Sequence, residues 1–286
     1  MSGIPLVRES ETTDERAREA FRDVRSALRI PVATLLFQAW AVYPKFLDVT
    51  WRRLRPSVLS DDFARLAGRL EQSVREGALA WAIADHAAAL RARSLGEAEI
   101  ARMRELVELF TNVNPKLAIL AAAVATALDG KAIGGVGTKG PHRERERAQP
   151  QEFRGVRVVL IEERDAPPRV RAIYDDMKST LGLSFIETEY RAMASYPDWL
   201  EVWWRDCRPV CESDGYRTLG AELARAAASA ATMLPHRLLL SESLLESCEL
   251  EGEQLTGLQR TTAMFAQTLP GLMVNVEIAR RGLAER

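Results

Sequence analysis

Residues 43–61 read YPKFLDVTWRRLRPSVLSD, and residues 196–214 read YPDWLEVWWRDCRPVCESD. The two stretches stand 153 positions apart and align without a gap. Working outward, 21–70 laid over 174–223 gives 17 identities in 50 positions, where chance would give about three. Asp23/Asp176, Ser26/Ser179, Trp51/Trp204, Arg52/Arg205, Arg55/Arg208 and Pro56/Pro209 match, and Phe21/Tyr174, Phe37/Tyr190 and Phe46/Trp199 are conservative. After a slip of two residues the diagonal resumes with Phe110/Phe265, Pro115/Pro270 and Leu117/Leu272. A unit of about 110 residues therefore occurs twice.

A repeat this long is a duplicated half-domain, not a solenoid unit. Its apolar faces need cover, so the expected arrangement is two halves packed about a pseudo-twofold axis like a fused dimer. The alternative is a pair of independent tandem domains. The expected organisation is a first repeat at 16–128, a Gly-rich and charged connector at 129–168, and a second repeat at 169–283. Both repeats read as helical, giving an all-α fold. Ser60 is placed as an N-cap, with Asp61 and Asp62 favourable in the first turn. Phe63, Leu66, Ala67, Leu70 and Val74 follow at helical spacing, and Met103, Leu106, Val107 and Phe110 form a second stripe. Asn114-Pro115 reads as the end of that helix and the start of another, with Asn114 as N-cap. The next helix should stop at Asp129-Gly130.

The connector offers little chemistry. Gly134–Gly140 lacks the order of a phosphate-binding loop and reads as a flexible link. His142–Arg147 is a solvated charge run, and 153–161 reads as a short extended segment.

Thirty-nine Lys and Arg against forty Asp and Glu leave a formal charge of −1. That charge gives no drive toward nucleic acid or an anionic membrane. Three Cys and three His are too few for a disulfide framework or for most metal sites. The N-terminal residues carry many charges, and the longest apolar run, 117–128, is shorter than a bilayer span. A cytoplasmic protein is expected. Cys207 and Cys211, one helical turn apart, read as buried structural thiols.

Duplication supplies an internal comparison. Where both copies agree, a residue serves the scaffold, as Trp51/Trp204 and Arg52/Arg205 are expected to do. Where one copy turns polar, a site is plausible. Thr34-Leu35-Leu36 in the first copy corresponds to Glu187-Thr188-Glu189 in the second. Asn114 corresponds to Leu269. If the Glu187–Glu189 face is buried, its carboxyls rise in pKa and one becomes a candidate general base for water. Thr188 and Asn114 could hold that water. The alternative reading makes Glu187 and Glu189 the charged start of a solvent-exposed helix.

Leu28-Arg29-Ile30-Pro31, Ala41–Leu47 leading to Trp51-Arg52-Arg53, Asn114-Pro115-Lys116 and Glu189–Pro197 resemble the DehI-type (group I) 2-haloacid dehalogenases. The resemblance covers almost the whole chain and implies an all-helical pseudo-dimer with a site between the repeats. It also implies a metal-free and cofactor-free hydrolase, in which a carboxylate helped by an Asn activates water for direct displacement of halide. The family's Asn falls on Asn114, and its Ser-Asp pair falls on Thr188-Glu189, one methylene longer. Its pocket Trp and Phe fall on Val32 and Leu35. Glu189, Asn114 and Thr188 are thus the expected catalytic group, converging on one cavity, with Val32, Leu35, Glu187 and Phe265 lining a substrate pocket. The expected partner is a small carboxylic acid, with neither nucleic acid nor membrane, in a chain that could form a homodimer. Two rivals remain: a non-catalytic helical binding protein on the same scaffold, and a redox protein of the helical AhpD type built around His86.

Overall fold

The computed structural model describes residues 4–136 and 157–285. Twelve α-helices lie among them, with no strand; Ile133 and Leu238 form an isolated antiparallel backbone pair. The first six helices are α1 (Glu15–Leu28), α2 (Leu35–Trp40), α3 (Pro44–Val58), α4 (Asp61–Gly77), α5 (His86–Ala92) and α6 (Glu97–Leu128). The next six are α7 (Pro168–Leu181), α8 (Thr188–Met193), α9 (Pro197–Cys211), α10 (Asp214–Thr232), α11 (Glu242–Ser247) and α12 (Gly252–Gly282).

Local chemistry explains the boundaries. Ser60 accepts from the Phe63 N–H at 3.1 Å, and Ser213 accepts from Tyr216 at 3.2 Å; these caps satisfy donors that a helix start leaves orphaned. At the end of α1, Arg29 takes a left-handed conformation with φ 58°, where the end of α7 uses Gly182 at φ 66°. Gly adopts that conformation freely and Arg does so at a cost. The first copy therefore carries local strain that the second avoids.

α6 and α12 pack against each other along much of their length and form the centre of the core. Leu117–Leu128 is buried almost throughout, because Ala118, Ala121, Ala122, Ala123 and Ala127 let neighbouring helices approach closely. By length and composition α6 could cross a membrane, yet 72% of its most apolar window is buried inside the protein. It is a core helix.

One sequence expectation fails here. Asn114-Pro115 does not divide two helices, since α6 runs unbroken through both. Pro115 has no N–H to give the Thr111 carbonyl, a loss that burial of the surrounding apolar turns outweighs. Pro270 lies inside α12 in the same way. The expected stop at the far end is present: α6 finishes at Leu128 and Gly130 takes φ 77°.

The repeated Trp residues are anchors. Trp51 Nε1 donates to Asp23 at 2.6 Å and Trp204 Nε1 donates to Asp176 at 2.7 Å, with Arg55 and Arg208 on the same carboxylates. Arg52 and Arg205 instead make separate ion pairs with Asp48 and Asp206 on exposed faces. Of the connector, His142–Arg147, residues 137–140 and residues 153–156 lie outside the described residues. Residues 157–161 form no strand, although the Ile161 N–H donates to the Arg191 carbonyl at 3.0 Å.

Two packing choices position the candidate site. α2 rests on α12, with Trp40 Nε1 donating to Thr262 Oγ1 at 3.1 Å. α8 rests on α6. Each short helix thus sits on the long helix of the other part of the chain.

Candidate active site

Glu187, Thr188 and Glu189 are all buried, Glu189 to 2% exposure. The reading of a solvent-exposed helix start is therefore overturned. Glu187 occupies the N-cap position of α8 but its side chain caps nothing. From α6, Asn114 is fully buried, and neither of its amide atoms completes a hydrogen bond.

The charges follow from this burial. Loss of water pushes the Glu189 carboxyl up from 4.5 to about 7. Its own backbone N–H, the nearby Asn114 amide and the Arg191 guanidinium hold it from rising further. Glu187 is pushed well above the usual carboxylate range, first by burial and then by the charge of Glu189. A buried carboxyl titrating near neutrality can give up and take a proton at working pH.

Arg191 is a member of this group that the sequence comparison did not single out. It is 6% exposed, and its Nη1 donates to both carboxylate oxygens of Glu162 at 2.9 and 3.0 Å. Its Nη2 lies 3.4 Å from Thr188 Oγ1. Glu162 also accepts from Arg8 at 2.9 Å. The signal was present in the repeat, because the position equivalent to Arg191 is Gln38.

A small cleft lies between α4, α6 and α12. Phe110, Thr111, Asn114, Pro115, Met273 and Glu277 are among its walls. Asn114 is the expected site residue that lines it. Glu189 meets Asn114 from the α8 side of α6. Thr111 Oγ1, on the cleft wall, is buried without a partner, while Glu277 is clamped by Arg280 through two contacts of 2.7 Å.

The expected pocket residues lie on several elements. Glu187 lies with Glu189. Leu35 is buried on α2, and Val32 is part-buried just before it. Phe265, buried on α12, packs its ring 5.9 Å from that of Phe185. Phe185 is the repeat equivalent of Val32, so an aromatic stands at that position in the second copy. The other candidates are structural in their surroundings. Cys207 and Cys211 are buried with Sγ atoms 3.6 Å apart, both facing Asn275 Oδ1. Burial and the neighbouring Cys211 push the Cys207 thiol well up, away from reactivity. His86 is buried against Asp206 of α9, 3.2 Å away, and no Cys is among its partners.

Known proteins resemble this chain in sequence and fold. A family described as "Halocarboxylic acid dehydrogenase DehI" matches residues 31–190. An (R)-2-haloacid dehalogenase of Pseudomonas putida is 28% identical over 267 residues, covering 92% of this chain and 87% of the relative. A configuration-inverting 2-haloacid dehalogenase of Pseudomonas sp. (strain 113) is 27% identical, covering 73% of this chain and 70% of its own. Among solved structures, a D-2-haloacid dehalogenase mutant in complex with D-2-CPA superposes with a TM-score of 0.90 at 27% identity, covering 98% of this chain and 96% of the other. The matched segment takes in both Asn114 and the Glu187–Glu189 turn, and the chain belongs to the DehI family.

Proposed function

We propose that this chain is a 2-haloacid dehalogenase in which Glu189 activates water for direct displacement of halide. The observation that carries this reading is a buried carboxyl titrating at about 7 beside the buried Asn114 amide. Glu189 takes one proton from water, the water oxygen bonds to C2 of the haloacid, and the carbon–halogen bond breaks with its electron pair leaving on halide. The products are a 2-hydroxy acid of opposite configuration, a halide ion and a proton. Asn114 and Thr188 orient the water, and Phe185, Phe265 and Leu35 supply apolar walls for the alkyl group and halogen.

The two helical repeats, 16–128 and 169–283, are read as halves of a pseudo-dimer. Support comes from helix starts 153 residues apart for α1/α7, α2/α8, α3/α9 and α4/α10, and from the exchanged packing of α2 on α12 and α8 on α6. The substrate then binds between the halves. Three free thiols fit a reducing, cytoplasmic setting.

The test is halide release from each enantiomer of 2-chloropropionate. Glu189→Gln should abolish turnover, since Gln keeps the shape and loses the base, while Glu187→Gln should retain it. A first turnover in heavy-oxygen water should place the label in the hydroxy acid. Label appearing in the protein instead would refute direct attack by water. Full activity in Glu189→Gln would refute the base assignment. A chain that binds 2-chloropropionate but releases no halide would be the binding protein kept as the rival.

A further inference from the structure

Position 191 is filled differently in the two copies of the repeat. In the first, Gln38 turns its amide back onto the Ala33 carbonyl at 2.8 Å, and its own carbonyl accepts from the Val7 N–H at 3.0 Å. In the second, the Arg191 carbonyl accepts from the Ile161 N–H at 3.0 Å, which is the same backbone role. The scaffold is therefore served by a neutral side chain. Arg191 adds a buried cation that the scaffold does not need, and burying a guanidinium is costly unless it is paired.

Its pairing is one-sided. Nη1 is committed to Glu162, itself held by Arg8, and Nη2 reaches Thr188 Oγ1, while Nε is buried with no partner. Glu162 and Arg8 form the outer side of this chain of alternating charge. Glu187 and Glu189 form the inner side, on the same short helix as Arg191. From α6, the group facing Glu189 is the uncharged Asn114 amide, and among the described residues no charged group of α9 acts on it.

We propose that Arg191 is a positioning residue: from its anchor on Glu162 it fixes the Thr188 hydroxyl and supplies the positive charge that keeps the buried Glu189 ionised beside Glu187. The proposal rests on reading Glu189 as the base and assigns the control of that base to a residue two positions away. With Arg191 in place, the Glu189 carboxyl is part-ionised near neutral pH. Without it, the carboxyl keeps its proton to higher pH and less of the base form is present.

The experiment follows the titration of the Glu189 carboxyl by NMR in the full chain carrying isotope-labelled glutamate, its signal assigned by its loss in Glu189→Gln. In Arg191→Gln the midpoint should rise, because the ionised carboxyl loses a nearby positive charge. Arg191→Lys, which keeps the charge, should restore most of the shift. The acid limb of kcat/KM for 2-chloropropionate should move upward in parallel, with activity recovering at high pH. A purely structural role would lower activity at every pH and leave the midpoint in place. An unchanged midpoint in folded Arg191→Gln overturns the proposal. If that variant does not fold, Glu162→Gln decides the matter. It leaves the Arg191 charge uncompensated, so the midpoint should fall, and a midpoint at or above the wild-type value overturns the proposal. A displaced midpoint with no haloacid turned over would sink the dehalogenase reading while leaving the Arg191–Glu189 coupling in force.

Discussion

Replacing Glu189 by Gln should make the protein more stable at alkaline pH while removing its activity. The Glu189 carboxyl ionises at about 7 in the folded chain, against 4.5 for an ordinary glutamate. A folded-state value above the unfolded one means that the group's contribution is fully present below pH 4.5 and is lost as pH rises through about 7. The displacement corresponds to about 3 kcal/mol, because each pH unit is worth about 1.4 kcal/mol. Most of this falls between pH 5 and 9, since under about 1 kcal/mol has been lost at pH 5. Glu189→Gln carries no such penalty. Urea unfolding of both proteins should therefore show the variant gaining about 2–3 kcal/mol on the wild type between those pH values. Glu187 adds in the same sense, since removing the neighbouring charge eases its own ionisation. Activity gives the complementary trace: kcat/KM should rise with a midpoint near 7, about one-tenth of maximal at pH 6 and nine-tenths at pH 8. A stability difference that stays flat from pH 5 to 9 would refute the argument, because an exposed or ion-paired Glu189 gives no rise.

Asn114→Leu, which installs the residue of the other copy, removes the amide that holds the Glu189 carboxyl down, so the acid limb of kcat/KM should move to higher pH. It should also lower kcat at least about tenfold, and steady-state kinetics across pH checks both. Gly282→Ala drives a Cβ into the His86 ring at Nδ1; the displaced ring loses Asp206, and unfolding experiments should show a loss of about 3 kcal/mol. That loss should disappear when Gly282→Ala is made in a His86→Ala background, which isolates the clash. Asp23→Ala and Asp176→Ala each break a bond to a Trp N–H and a part-exposed arginine pair. Each should cost about 1 kcal/mol, equal to within about 0.5 kcal/mol, if the two copies use the anchor alike.

The internal sequence match, the helical class and most helix limits are properties of the chain order itself. The Ser60 and Ser213 caps, the apolar stripe of α4 and the Gly130 stop are local, because capping and periodicity involve residues a few positions apart. Comparing the two copies also exposed Glu187-Thr188-Glu189 and Asn114 as departures, since a repeat records where its partner stayed apolar. The same comparison could have shown Arg191 opposite Gln38, but neither residue looks unusual until its burial is known. Tertiary packing alone decided three things. It carried α6 through Pro115, because the burial of a central helix outweighs one missing hydrogen bond. It opened the cleft beside Asn114 between α4, α6 and α12, a matter of how three surfaces fit. It brought Glu189 to Asn114 and Arg191 to Glu162 by resting α8 on a helix from the other part of the chain. Contacts of that range are fixed by which apolar faces cover one another, and no local spacing in the sequence encodes them.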